Sequence, residues 1–197
     1  MKIIGITGGI GSGKSTVAKV FNFYDVPVFT ADTEGKIISD CNPIAVESIK
    51  KLFGNDIYVD GKLNRKSVAA QVFEDKDKLL QLNQIIHPLV KLSFDNFCNK
   101  NANKSFVAIE SAILIESGFY NFVDFSVMVS APESLRIKRV VLRDGLTPFQ
   151  VESRINNQLQ EVVMEKFCKF KILNDDKSLI TPQVKKILDI FSHIKNS

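Results

Sequence analysis

The chain has 197 residues, 45% of them hydrophobic and 24% charged, which fits a single soluble domain able to bury a substantial core. No apolar run reaches the ~18 residues a membrane span needs, and the first strand begins at once, so neither a membrane anchor nor a leader peptide is expected. The net charge of +4 comes from scattered basic residues, and the three cysteines (Cys41, Cys98, Cys168) are far apart with no C-x-x-C pair; nucleic-acid binding, a zinc site and a disulfide framework are therefore not expected, and reduced thiols point to the cytoplasm.

Residues 2–7 (Lys2-Ile3-Ile4-Gly5-Ile6-Thr7) read as a short buried strand, and Thr16 to Phe21 as the first turns of a helix. Between them lies Gly8-Gly9-Ile10-Gly11-Ser12-Gly13-Lys14-Ser15, a complete G-x-x-x-x-G-K-[ST] loop. Residues 26–30 form a short apolar segment leading to Ala31-Asp32. Pro43 starts a helix that runs toward Phe53, with Gly54 as its cap. Tyr58-Val59-Asp60-Gly61 carries a turn signal. From Leu63 to about Asn99 the pattern is helical, with Leu79, Leu82, Ile85 and Ile86 on one side and no strand interrupting it.

Strand signals return at residues 106–109 and 123–129. Ala131-Pro132-Glu133 starts a helix through Arg143, broken by Asp144-Gly145. Thr147-Pro148-Phe149-Gln150 is a capping box, and the helix it opens is expected to carry Arg154 and Gln158. A last strand over 170–174 precedes a C-terminal helix with Val184, Ile187, Leu188 and Phe191 on one face. Alternating strands and helices predict an α/β fold, a three-layer α/β/α core of the P-loop kinase type with a five-stranded parallel sheet. Within one domain spanning 1–197, residues 60–100 form an inserted helical substrate lobe and 132–160 a lid region.

Strand, glycine loop and helix together make the phosphate-loop motif mechanistic. Backbone N–H groups of Gly8, Gly9, Gly11, Ser12, Gly13, Lys14, Ser15 and Thr16 can surround phosphate oxygens, helped by the positive end of the helix. Lys14 can reach the β- and γ-phosphates, and the Ser15 hydroxyl can ligate Mg²⁺. The chain therefore binds a nucleoside triphosphate.

Residues beyond the loop sort the uses of that triphosphate. Asn99-Lys100-Asn101-Ala102 lacks the aspartate of a guanine-reading N-K-x-D motif, and Asp32-Thr33-Glu34-Gly35 arrives too early for a GTPase switch. Phe106-Val107-Ala108-Ile109-Glu110 has the form of a Walker-B strand, or is a buried strand meeting solvent at Glu110. A small-molecule kinase needs an orienting carboxylate, arginines for the transferring phosphoryl group and a cover against water. Asp32, after the second strand, is either that carboxylate or a helix N-cap. Arg136, Arg139 and Arg143, spaced by three and four, form either a solvated basic face or a lid over phosphates.

These residues resemble the dephospho-coenzyme A kinase family over residues 2 to about 175. Residues 6–17 look like that family's phosphate loop, and Ala31-Asp32 like its D-A-D signature with Thr30 in place of the first aspartate. Leu82-Asn83 through His87-Pro88-Leu89-Val90 resembles its L-N-x-x-x-H-P segment. Glu110 to Glu116 resembles its P-L-L-x-E segment with Ala112 for the proline. Ile137-Lys138-Arg139 with Arg143-Asp144 resembles its lid helix, and Arg154 to Gln158 its R-x-x-x-Q segment. Where the family commonly has Ala-Asp before the last strand, this chain has Cys168-Lys169.

The resemblance implies ATP-dependent phosphorylation of the ribose 3′-hydroxyl of dephospho-coenzyme A, with Mg²⁺, as the last step of coenzyme A biosynthesis. It implies that Asp32 is the base, that Lys14, Arg139 and Arg143 act on the phosphates, and that residues 60–100 form the coenzyme A side. Arg65, His87 and Glu116 become candidates for substrate contact, with His87 alternatively just closing a helix turn before Pro88. The expected partners are these small molecules alone, with a monomer or small homo-oligomer as the working form.

Overall fold

The computed structural model describes residues 1–193. In chain order, β1 (Lys2–Thr7), α1 (Lys14–Phe23) and β2 (Val28–Thr30) are followed by α2 (Ala31–Cys41) and α3 (Pro43–Phe53). A small hairpin of β3 (Tyr58–Val59) and β4 (Lys62–Leu63) then leads into α4 (Arg65–Glu74) and the long α5 (Lys76–Lys100). The remainder is β5 (Phe106–Glu110), β6 (Phe125–Ser130), α6 (Glu133–Asp144), α7 (Pro148–Asn156), α8 (Glu161–Phe167), β7 (Phe170–Leu173) and α9 (Ile180–His193). The chain divides into two compact units: Met1–Phe29 with everything from Asn101 onward, and Thr30–Lys100.

The first unit is built on a five-stranded parallel sheet in the order β2-β5-β1-β6-β7. β1 sits in the middle, with Ile4 opposite Ala108 of β5 and Phe125 of β6. Its strands are near-continuous Val/Ile runs because helices or loops cover both faces. On one face Ile4, Ile6, Ala108, Val127, Val129 and Ile172 bury against Val17 and Phe21 of α1 and Val184, Ile187 and Phe191 of α9. Phe191 anchors that layer, stacked on Phe125 at 4.1 Å between ring centroids and edge-on to Phe170 at 5.0 Å. The alternating residues Val107, Ile109 and Met128 are fully buried on the other face. There Gly5 leaves room for Leu114 and Val123, whose side chains would meet any Cβ added to it.

The second unit is helical apart from its hairpin. Asn42 caps α3 by accepting from the Ile44 and Ala45 amides, Pro43 takes the first helical position, and Gly54 ends the helix at φ 96°, as the sequence predicts. α2 packs against α5 where Gly35 brings it close to Ile86 and Val90, and Glu34 accepts a 2.6 Å bond from Ser93. The hairpin is tied to the end of α2: Tyr58 donates to the Ser39 carbonyl at 2.7 Å, and Asp40 accepts from the Leu63 amide at 3.1 Å.

Three local expectations need correction, and one helix went unread. The stretch from Leu63 is not uninterrupted helix: Leu63 completes β4, and Asp75 separates α4 from α5, its carboxylate accepting from the Asp77 and Lys78 amides. His87 does not close a turn, because α5 runs on past Pro88 to Lys100. Gln158 lies beyond α7, which ends at Asn156. The short helix α8 has no side-chain cap to announce it, since Gln160 makes none. Cys41, Cys98 and Cys168 are all free thiols, and burial pushes Cys168 up to about 11. No helix among the described residues is long and apolar enough to cross a membrane.

Candidate functional site

The loop over residues 8–13 joins the buried end of β1 to α1, and its glycines answer to what surrounds them. Gly13 is the N-cap of α1 in the left-handed region, at φ 90°, and a Cβ there would overlap the Asn174 side-chain amide. Gly8 leaves no space for a side chain against the Val129 carbonyl, nor does Gly11 against the backbone of Arg136. The loop is thus wedged against β6, α6 and the end of β7. Ser15 and Thr16 are exposed in the first turn of α1, which carries no acidic residue to offset its positive end. Lys14 Nζ donates to the Gly8 carbonyl at 2.9 Å and the Gly9 carbonyl at 3.3 Å, so its charge is held over the loop.

Four side chains distant in sequence brace this loop. Arg136, 5% exposed, donates from Nε to the Ile10 carbonyl at 2.9 Å and pairs with Glu161 at 3.0 Å. Glu161 also accepts from Ser130 at 2.8 Å, which fixes its carboxylate. Arg139 reaches the Gly11 and Ser12 carbonyls at 3.3 and 3.4 Å and also bonds Asp176. Asn174, buried at the end of β7, donates to the Ser12 carbonyl at 2.8 Å and accepts from Arg139 at 3.3 Å. Gln158 accepts from the Ile10 amide at 2.7 Å.

The arginine stripe is therefore not a solvated face, because Arg136 and Arg139 lie against the loop. Arg143 differs from them. It is exposed and turned to its neighbour Asp144 through bonds of 2.7 and 2.9 Å, and that partner holds its pKa above the usual guanidinium value. Glu110 ends β5 buried, whereas Glu116 lies exposed in the turn after it.

In the second unit Asp32 is exposed at the second position of α2, directly after β2, and Thr30 holds the N-cap position the sequence left open for it. Arg65 donates to Asp40 at 2.9 Å and to the Lys36 carbonyl at 3.0 Å, and remains 42% exposed. Burial raises the Asp40 carboxyl, but the bonds from Arg65 and the Leu63 amide outweigh it and leave the pKa lowered. His87 is half-buried on α5, and burial depresses its pKa.

The structure thus gathers Lys14, Gly8 to Ser15 and Arg139 at one place. Asn174, Gln158 and Glu161 join them there; of these the sequence had marked only Gln158, in its R-x-x-x-Q segment, and gave it no role. The only available signals were a polar residue closing an apolar strand, for Asn174, and the R-x-x-x-Q spacing, for Gln158.

Chemically, the loop concentrates amides, a helix N-terminus and two basic side chains on one small volume, an arrangement that suits a polyphosphate. The residues present also fit Mg²⁺. Ser15 offers an exposed hard oxygen at the start of α1, and Mg²⁺ relies largely on substrate phosphates and water for its other ligands. The Thr7 and Ser12 hydroxyls are buried at the base of the loop without a partner among the described residues, so its interior is polar.

The model of the dephospho-CoA kinase family matches residues 2–179. A dephospho-CoA kinase of Bacteroides fragilis is 38% identical over 185 residues, covering 94% of this chain and 90% of the relative. One from Porphyromonas gingivalis is 38% identical over 190 residues, covering 96% and 94%. Among solved structures, TT1252 from Thermus thermophilus superposes with a TM-score of 0.80 at 28% identity, covering 99% and 98% of the two chains. A shikimate kinase from Acinetobacter baumannii shares the fold at a TM-score of 0.55 and 14% identity, covering 100% and 96%.

Proposed function

The chain belongs to the dephospho-CoA kinase family, and from that premise we propose how its own residues carry the γ-phosphoryl group of ATP to the ribose 3′-hydroxyl of dephospho-CoA, the last step of coenzyme A biosynthesis. The observation that carries the reading is the loop from Gly8 to Ser15, wedged against α6 and β7 with Lys14 held over it. Such a loop offers the triphosphate preorganised amides that need no rearrangement when charge shifts during transfer.

Asp32 accepts the proton of the 3′-hydroxyl. Its support is an exposed carboxylate just past β2, at the carboxyl end of a strand, where α/β sheets commonly bind their ligands. As O3′ bonds to the γ-phosphorus, the bond from that phosphorus to the β-phosphate bridging oxygen breaks and ADP leaves. Lys14 and Arg139 neutralise the charge on the phosphate oxygens, and Arg143 exchanges Asp144 for the phosphates as the lid covers the site. Ser15 would hold Mg²⁺ together with the phosphates, and the ion would supply further charge neutralisation there.

The helical residues 60–100 and the lid of 132–160 are the acceptor-side and cover elements of this reading. Arg65 and His87 contact the acceptor from the former. Glu116 is a further candidate contact. The enzyme works in the cytoplasm as a monomer or small homo-oligomer, on small molecules and not on nucleic acid or membrane. Incubation with ATP, Mg²⁺ and a panel of dephospho-CoA, adenosine, AMP and cytidine tests the reaction. Product is expected only from dephospho-CoA, and turnover of another acceptor in its place overturns the assignment.

A further inference from the structure

Both backbone groups of Ile10 are taken by side chains more than a hundred residues away in sequence, 126 and 148. Its carbonyl accepts from Arg136 Nε at 2.9 Å, and its amide donates to Gln158 Oε1 at 2.7 Å. Ile10 lies within the phosphate loop, between Gly9 and Gly11, which give the backbone little stiffness of its own. Gln158 comes from the turn after α7, where its own amide donates to the Ile155 carbonyl at 3.1 Å. Arg136 is itself fixed by Glu161, at the start of α8.

We propose that Gln158 and Arg136 form a two-sided clamp on Ile10 that sets the shape of the phosphate loop, making Gln158 a positioning residue for ATP. The clamp commits the Ile10 amide to Gln158, so the phosphates are read by the other amides of the loop. The acceptor oxygen of Gln158 is the working group, since the amide it holds needs only a lone pair. The clamp also joins the loop to the lid segment: the shape of the ATP cradle depends on how the α7–α8 connection is seated. Preorganisation of this kind acts on the donor substrate and leaves the acceptor untouched.

Arg136 is a poor test, because its removal strands the Glu161 carboxylate and threatens folding. Gln158 is only partly buried and can be changed alone. Gln158→Met keeps the length of the side chain and deletes the acceptor, whereas Gln158→Glu keeps an acceptor oxygen. The proposal rests on the ATP reading of the loop, so wild-type turnover of dephospho-CoA is measured first, and its absence counts against that reading and not the clamp.

With the wild type active, Gln158→Met is expected to raise KM for ATP and weaken direct ATP binding by about 3- to 10-fold, the worth of one neutral hydrogen bond. KM for dephospho-CoA and the melting temperature stay at wild-type values, and Gln158→Glu recovers most of the ATP affinity. Unchanged ATP affinity in Gln158→Met overturns the proposal. So does an equal rise in KM for both substrates with a lowered melting temperature, which marks a merely structural role, or a Gln158→Glu variant as impaired as Gln158→Met.

Discussion

Replacing Gly13 by alanine tests whether the loop is held by what lies behind it. Two costs add. Gly13 sits at φ 90°, and a side chain in the left-handed region costs about 1–2 kcal/mol. The new Cβ also displaces the Asn174 amide, which donates to the Ser12 carbonyl at 2.8 Å, and stranding buried polar groups costs about 1–3 kcal/mol. The sum is about 2–5 kcal/mol, or a fall of roughly 4–20 °C in melting temperature for a chain of this size.

Gly118→Ala supplies the reference in the same unit. Its φ is 79° but nothing stands within 4 Å of the added Cβ, so only the strain of about 1–2 kcal/mol is expected. Denaturant unfolding of both variants, with and without Asn174→Ala, closes a double-mutant cycle. In the Asn174→Ala background the excess cost of Gly13→Ala disappears. If Gly13→Ala is no more harmful than Gly118→Ala in the native background, the loop is not wedged against Asn174 and the bracing argument fails.

Asp32→Asn is expected to leave ATP affinity intact while kcat falls about 10²-fold or more, the loss expected for a general base; steady-state kinetics decide, and an unchanged kcat removes Asp32 from the chemistry. Arg143→Ala should slow turnover by ~10²–10³ through loss of a charge-stabilising donor, whereas a variant that only melts earlier points to its pairing with Asp144 as the whole of its role. Tyr58 gives an alkaline signature: burial, and then the Asp40 charge, push its phenol up to about 12 from 10.0. Between pH 10 and 12 the unfolded chain loses this proton and the folded chain keeps it, so stability falls as pH rises through that window. Urea titrations across pH 9–12 should show a shallower fall in Tyr58→Phe than in the wild type.

What the sequence made legible was local. The loop from Gly8 to Ser15, the capped helix from Pro43 to Phe53 and the capping box at Thr147 each declare themselves within a few residues, because caps and tight turns are satisfied by near neighbours. The Val/Ile runs of β1, β5 and β6 likewise announced strands covered on both faces. The boundary between α4 and α5 was hidden because Asp75 caps from inside a run whose apolar spacing continues past it. The bond from Arg65 to Asp40, 25 residues earlier, was hidden because the two have no fixed spacing.

The same reasoning explains why half of the site stayed out of sight. Gln158 bonds an amide 148 residues away, and Asn174 a carbonyl 162 residues away. A single bond from a side chain to distant backbone asks only for one polar atom in the right place, so even the R-x-x-x-Q spacing of Gln158 does not name the amide it meets. The glycine motif therefore specifies what the loop can bind, while residues 136–174 specify the shape in which it binds. A copy of residues 8–15 placed between another strand and helix would keep its amides and Lys14, and lose the braces at Ile10 and Ser12 that hold them in register.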